Sequence, residues 1–167
     1  MNLLTALLGL GLALCACKSG PAPNPERDRL MARADSSAAR HRYAEARQGY
    51  EQVLGMDPRF PPAYCALGNL LAQLGQTTKA IERYQQALAL DPDYTKVQHN
   101  LALLWADLGQ YPEALALLEK AREDQPKYPP VLQSLALLYA KQSRYPEAEE
   151  ALGQALAAEP ELVGARL

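Results

Sequence analysis

The sequence predicts an all-α protein built as a tandem helical repeat, and three observations carry that prediction. Several independent registers recur at one period of 34 residues. Apolar residues within each period follow helical spacing, with no alternation of period two long enough for a sheet. Gly and Pro fall where helices end and begin. A repeat of roughly 20–50 residues marks supersecondary units that stack to bury a shared core.

The registers are explicit. Pro58, Pro92, Pro126 and Pro160 are 34 apart, and so are Ala46, Ala80, Ala114 and Ala148. Tyr50, Tyr84, Leu118 and Leu152 follow the same period, as do Val53, Ala87, Ala121 and Ala155. Upstream run Ala34, Gly68, Ala102 and Ala136, with Leu67, Leu101 and Leu135 one residue before the last three. Leu67, Leu70, Leu71 and Leu74 share a helical face, as do Leu101, Leu104, Trp105 and Leu108. Gly75 and Gly109 follow these runs, where a helix end favours positive φ. Pro61-Pro62, Pro112, Pro129-Pro130 and Pro146 sit at helix starts, where the missing N–H costs nothing.

These registers resemble the tetratricopeptide repeat. Tyr64, Leu67, Gly68, Leu71, Ala80, Tyr84, Ala87 and Pro92 fill its signature positions in the best-matching unit. The resemblance implies a right-handed superhelical solenoid of four helix-turn-helix units, at residues 27–60, 61–94, 95–128 and 129–162. Two helix axes close to ~8 Å only where the crossing side chains are small, so Gly68 is expected to meet Ala80. The first unit is the weakest match, with Arg33 where the others have Leu, as suits a solvent-facing terminal unit.

In this family the first helices line a concave groove. The resemblance places Cys65, Asn69 and Gln73 there from the second unit. The third contributes Lys96, His99, Asn100, Leu103 and Asp107, and the fourth Gln133, Leu137 and Lys141. Amides donate and accept hydrogen bonds, so Asn69 and Asn100 suit the backbone of an extended peptide. The same positions serve a merely solvated wall equally well. Some co-chaperones of the family clamp a C-terminal carboxylate with two Asn and several Lys or Arg. Here Cys65, Pro130 and Ser134 stand where those cations belong, which argues against that ligand. Cys65 reads as a small apolar filler, and Trp105 and Tyr139, 34 apart, as packing residues. Around His99 nothing at helical spacing suggests a metal site.

Composition narrows the function classes. The chain has 167 residues, 17 Lys plus Arg, 19 Asp plus Glu, two His and three Cys. A net charge of −2 lacks the basic footprint that nucleic acid requires. No nucleophile–base pair or phosphate loop stands out, so neither an enzyme nor a cofactor is expected. Charge is uneven: basic residues outnumber acidic ones in 27–60, while 129–162 holds only Lys141 and Arg144. The basic end could face anionic headgroups, each charge contributing at most ~1 kcal/mol.

The amino terminus reads as an address. From Leu3 to Cys17 the chain is apolar and uncharged, shorter than the ~18 residues of a spanning helix. Leu14-Cys15-Ala16-Cys17 resembles a bacterial lipobox, which implies removal of residues 1–16 as a signal peptide and lipidation of Cys17. Cleavage before Cys15 would put bulky Leu14 at the scissile bond. Met1-Asn2 carries no Lys or Arg, a departure from that pattern. Residues 17–26 alternate Pro21, Pro23 and Pro25 with small residues, a semi-rigid spacer. Lys18 replaces the Asp that retains enterobacterial lipoproteins at the inner membrane, which favours the outer one.

The whole most resembles small repeat lipoproteins that help outer-membrane machines assemble, including the pilotins of type IV pilus secretins. The expectation is therefore a membrane-tethered scaffold with protein partners in the envelope. Its rival is a module that captures a peptide or substrate in the groove for an envelope enzyme. Glu161 to Leu167, which include the tail at 163–167, give at most about 10 Å of helix, too little to cover a full second helix, and Glu149 stands where Ile81 and Leu115 stand. Leu152, Leu156, Leu162, Val163 and Leu167 offer an apolar face. That end is expected to dock on a partner or a second copy, or to be covered by the tail folding back.

Overall fold

The computed structural model describes residues 23–158. The lipobox-like segment with Cys17, most of the spacer, Pro160 and the tail lie outside these residues. Eight helices follow in order: α1 (Pro25–Ala39), α2 (Tyr43–Met56), α3 (Pro61–Gln73), α4 (Thr77–Leu90), α5 (Thr95–Asp107), α6 (Tyr111–Asp124), α7 (Pro129–Lys141) and α8 (Tyr145–Ala158). No strand occurs among the described residues.

Local chemistry sets the boundaries. The Asn24 side chain caps α1 by accepting from the Arg27 N–H at 3.1 Å, with Pro25 in the first turn. Proline also opens α3, α6 and α7. Helices α3 and α5 stop at Gly75 and Gly109, with φ of +71° and +77°. In the outer pairs that left-handed position is held by His41 and Ser143, with φ of 59° and 60°. The turn recurs in every unit; the glycine does not.

Each odd-numbered helix packs on the one after it, and each pair packs on the next. The first helices also touch one another in order, α1 on α3, α3 on α5 and α5 on α7. They form the crowded inner wall, while α2, α4, α6 and α8 lie outside. The architecture is an all-α helical repeat solenoid.

The core is a chain of linked clusters. One joins Tyr50, Leu67, Leu71, Tyr84, Val97 and Leu101. The next joins Ala102, Leu118, Leu135, Tyr139 and Ala151. Trp105 and Leu117 pack against both. Ala46, Ala80 and Ala114 are fully buried where helices approach. The expected Gly68–Ala80 contact takes a different form: a Cβ on Gly68 would lie 2.5 Å from Cε1 of Tyr84, one turn beyond Ala80. The glycine makes room for a flat ring. In the first pair a Cβ on Gly49 would lie 2.7 Å from that of Ala34.

Two buried polar side chains brace the stack. Arg27, 3% exposed, donates to Asp57 at 2.8 Å and to Asp28, with its guanidinium 4.0 Å from the Phe60 ring centre. Gln98, fully buried, donates from Nε2 to the Pro92 carbonyl and to Asp124, both at 2.8 Å.

Candidate functional site

The inner wall carries a polar cluster at its middle. The Oδ1 of Asn69 accepts from the Tyr84 hydroxyl and from Nδ2 of Asn100, both at 2.7 Å. That fills both lone pairs of the oxygen. The amide nitrogen of Asn69 donates one hydrogen to the Cys65 sulfur at 3.9 Å, a weak acceptor, and its second hydrogen remains available to the groove. One amide thus joins α3, α4 and α5.

Beside this cluster lies an open cavity of about 380 Å³ between α1, α3 and the start of α5. Met31, Ala38, Ala66 and Leu70 give it an apolar floor; Asp35, Asn69, Gln73, Tyr94 and Lys96 give it polar walls. The Tyr50 hydroxyl donates to Oδ1 of Asp35 at 2.8 Å. Gln73 donates to the Tyr43 hydroxyl at 3.0 Å, and that hydroxyl lies 2.7 Å from Nδ1 of His41. Burial pushes the Cys65 thiol up from its ordinary pKa, with Lys96, Tyr94 and Asn69 pulling the other way. A buried protonated thiol is a poor nucleophile, which fits its filler role. Burial, with help from neighbouring Cys65 and Asp91, pushes Tyr94 up to about 12.

The residues expected in the groove fall into four settings. Asn69, Gln73 and Lys96 meet at the cavity, and Asn100 joins Asn69 beside it. His99 is half-buried, with Nε2 2.9 Å from the Ser134 hydroxyl of α7 and its ring edge-on to Tyr128. Burial lowers its pKa, against raising contributions from Asn100 and the Pro130 backbone. Leu103, Gln133 and Leu137 are exposed on α5 and α7. Lys141 stands apart, its ammonium 5.4 Å from the Tyr111 ring centre on α6. Asp35 was not anticipated, although it lies 34 residues before Asn69 and was legible by register alone.

One further surface was expected to matter. On α8, Leu152 is 48% exposed although its equivalent Leu118 is fully buried, and Leu156 is 40% exposed. Among the described residues no group of three or more His, Cys, Asp or Glu is arranged to hold a metal ion. No described helix is long and apolar enough to cross a membrane.

A stack of helix pairs with an open inner wall is the geometry of a protein-interaction module. The tetratricopeptide repeat profile matches residues 37–104, 71–138 and 106–167. The chain belongs to the tetratricopeptide repeat family.

Solved structures agree on the fold. MamA is 22% identical, with a TM-score of 0.72 over 83% of this chain and 81% of that one. Pseudomonas aeruginosa PilF is 24% identical, with a TM-score of 0.75 over 80% of this chain and 61% of PilF. YrrB, described as having an unusual peptide-binding site, is 21% identical, with a TM-score of 0.66 over 84% and 75%. No curated protein matches.

Proposed function

We propose that this chain is a lipid-anchored adaptor of the bacterial envelope, holding an extended segment of a partner protein in its groove while a larger complex assembles. The observation that carries the reading is the Asn69–Asn100–Tyr84 cluster, whose hydrogen bonds use one hydrogen of each asparagine amide and leave the other for the inner wall. An extended backbone has free carbonyls for such donors; a helix has already satisfied its own. The lipobox-like Leu14-Cys15-Ala16-Cys17 supports the anchor, and Lys18 supports the periplasmic face of the outer membrane. Assembly of a pilus or another outer-membrane machine is the context proposed for it.

Two measurements test this. Asn69→Ala with Asn100→Ala should lose envelope partners in crosslinking pull-downs while circular dichroism stays unchanged; undiminished capture would move the binding surface elsewhere. Cys17→Ser should stop incorporation of labelled palmitate and release the protein from membranes, since acyl chains anchor at ~0.8 kcal/mol per buried CH₂. The exposed Leu152 and Leu156 support a second contact, with another copy of the chain. Sedimentation of Leu156→Glu then gives a smaller species than wild type.

A further inference from the structure

The inner wall changes character along its length at one structural position. That position is Asp35 on α1, Asn69 on α3, Leu103 on α5 and Leu137 on α7, each 34 residues from the last. The facing position on the second helices changes in step: Tyr50, Tyr84, Leu118 and Leu152. In the first two pairs the tyrosine hydroxyl supports the groove residue, at 2.8 Å for Tyr50 to Asp35 and 2.7 Å for Tyr84 to Asn69. In the last two both partners are leucine, and the groove leucines are 39% and 58% exposed. The wall therefore runs from carboxylate to amide to two aliphatic contacts.

We infer that the occupant of the groove is an extended partner segment with a lysine or arginine at one end and two aliphatic residues further along, laid from Asp35 to Leu137. This deepens the proposed adaptor function and rests on it. Asp35 is exposed, enters no ion pair among the described residues, and has only one oxygen engaged by Tyr50. The cavity next to it has the apolar floor that the stem of a long basic side chain covers while its head reaches a carboxylate. Lys96 on α5 also lines that cavity, and its like charge favours seating the ligand's cation on the α1 side, at Asp35. Packed helices lie about 8–10 Å apart, and an extended chain advances about 3.3 Å per residue. The first aliphatic residue then falls about six positions from the basic one, and the second about three positions beyond it.

The test is selection of random peptides of about twelve residues, long enough for that span, on the full chain in mild detergent. A synthetic peptide of the selected order is then titrated by fluorescence anisotropy. The expected peptides carry the basic residue and the two aliphatic ones at this spacing. Asp35→Lys should weaken the synthetic peptide about tenfold, and exchanging its basic residue for Glu should restore binding. Leu103→Ser with Leu137→Ser should cost at least about tenfold. Peptides of another order, or with helical spacing of apolar residues, overturn the inference. So does an Asp35→Lys protein that binds as wild type. If such peptides are still lost on Asn69→Ala with Asn100→Ala, the groove function stands and only the order falls. If binding ignores the Asn pair, or no peptide is enriched, the groove function falls as well.

Discussion

Ser143 and Gly109 occupy the same turn at nearly the same φ, 60° and 77°, with different side chains. A residue with a Cβ is strained there by roughly 1–2 kcal/mol, whereas glycine is at home. Glycine's larger unfolded-state entropy offsets part of the gain, so Ser143→Gly should stabilise by ~0.5–1 kcal/mol, read as a raised urea midpoint. Gly109→Ala should lower it by a similar amount. His41 has the same geometry, yet its ring contacts the Tyr43 hydroxyl, so its replacement tests two effects at once. At Gly68 the sign reverses. Alanine favours a helix interior by ~1 kcal/mol, but its Cβ would fall 2.5 Å from the Tyr84 ring, which is packed and hydrogen-bonded to Asn69. Gly68→Ala should therefore destabilise by a net ~1–3 kcal/mol in the same denaturation experiment. An unchanged midpoint would mean that the ring moves aside freely.

Helix α5 shows what sequence periodicity reveals and what it leaves dark. Its length, its glycine stop and its buried Leu101 and Ala102 were legible, because the repeat states each position several times over. The consecutive Gln98, His99 and Asn100 were not legible in the same way, for each reaches a different neighbour. Gln98 turns to the Pro92 carbonyl and Asp124, His99 to Ser134 on α7, and Asn100 to Asn69 on α3. The equivalents of Gln98 are Leu30, Tyr64 and Leu132, so a polar residue at an apolar register position was the available signal. The groove residues were placed by register, but their hydrogen bonds depend on distances between helices that a period cannot supply. His99 makes this element pH-sensitive. Burial holds its native pKa below the ordinary 6.5 of the unfolded chain. Its contribution is complete above that value. As pH falls through it the unfolded state takes up the proton first, and stability is lost. The urea midpoint should drop as pH falls below about 6.5, where the unfolded imidazole takes up its proton and the buried one does not. His99→Gln should flatten that dependence; an equal slope in the variant would assign it to other groups.

At the scale of the whole molecule, a repeat array is held by contacts between neighbouring units, with no central core to enforce all-or-none unfolding. The cooperativity of this chain depends on where its two main clusters meet. The first closes on Val97 and Leu101 and the second opens at Ala102, all on α5, and Trp105 and Leu117 pack against both. Trp105 is half-buried and is the chain's only tryptophan. Trp105→Ala removes the largest side chain at this junction. The expected cost is about 2 kcal/mol, below the ~3–5 kcal/mol of a fully buried tryptophan. The shape of the transition is the more telling readout. With neighbour coupling weakened, α1–α4 and α5–α8 should begin to unfold at different urea concentrations, and the apparent m-value should fall although no less surface is exposed in total. Because the substitution removes the tryptophan fluorophore, helix content must be followed by circular dichroism, with hydrogen exchange resolving the two halves. A sharp transition with undiminished m and uniform loss of protection would show that the halves are coupled elsewhere, through Leu117 or the polar links between inner helices.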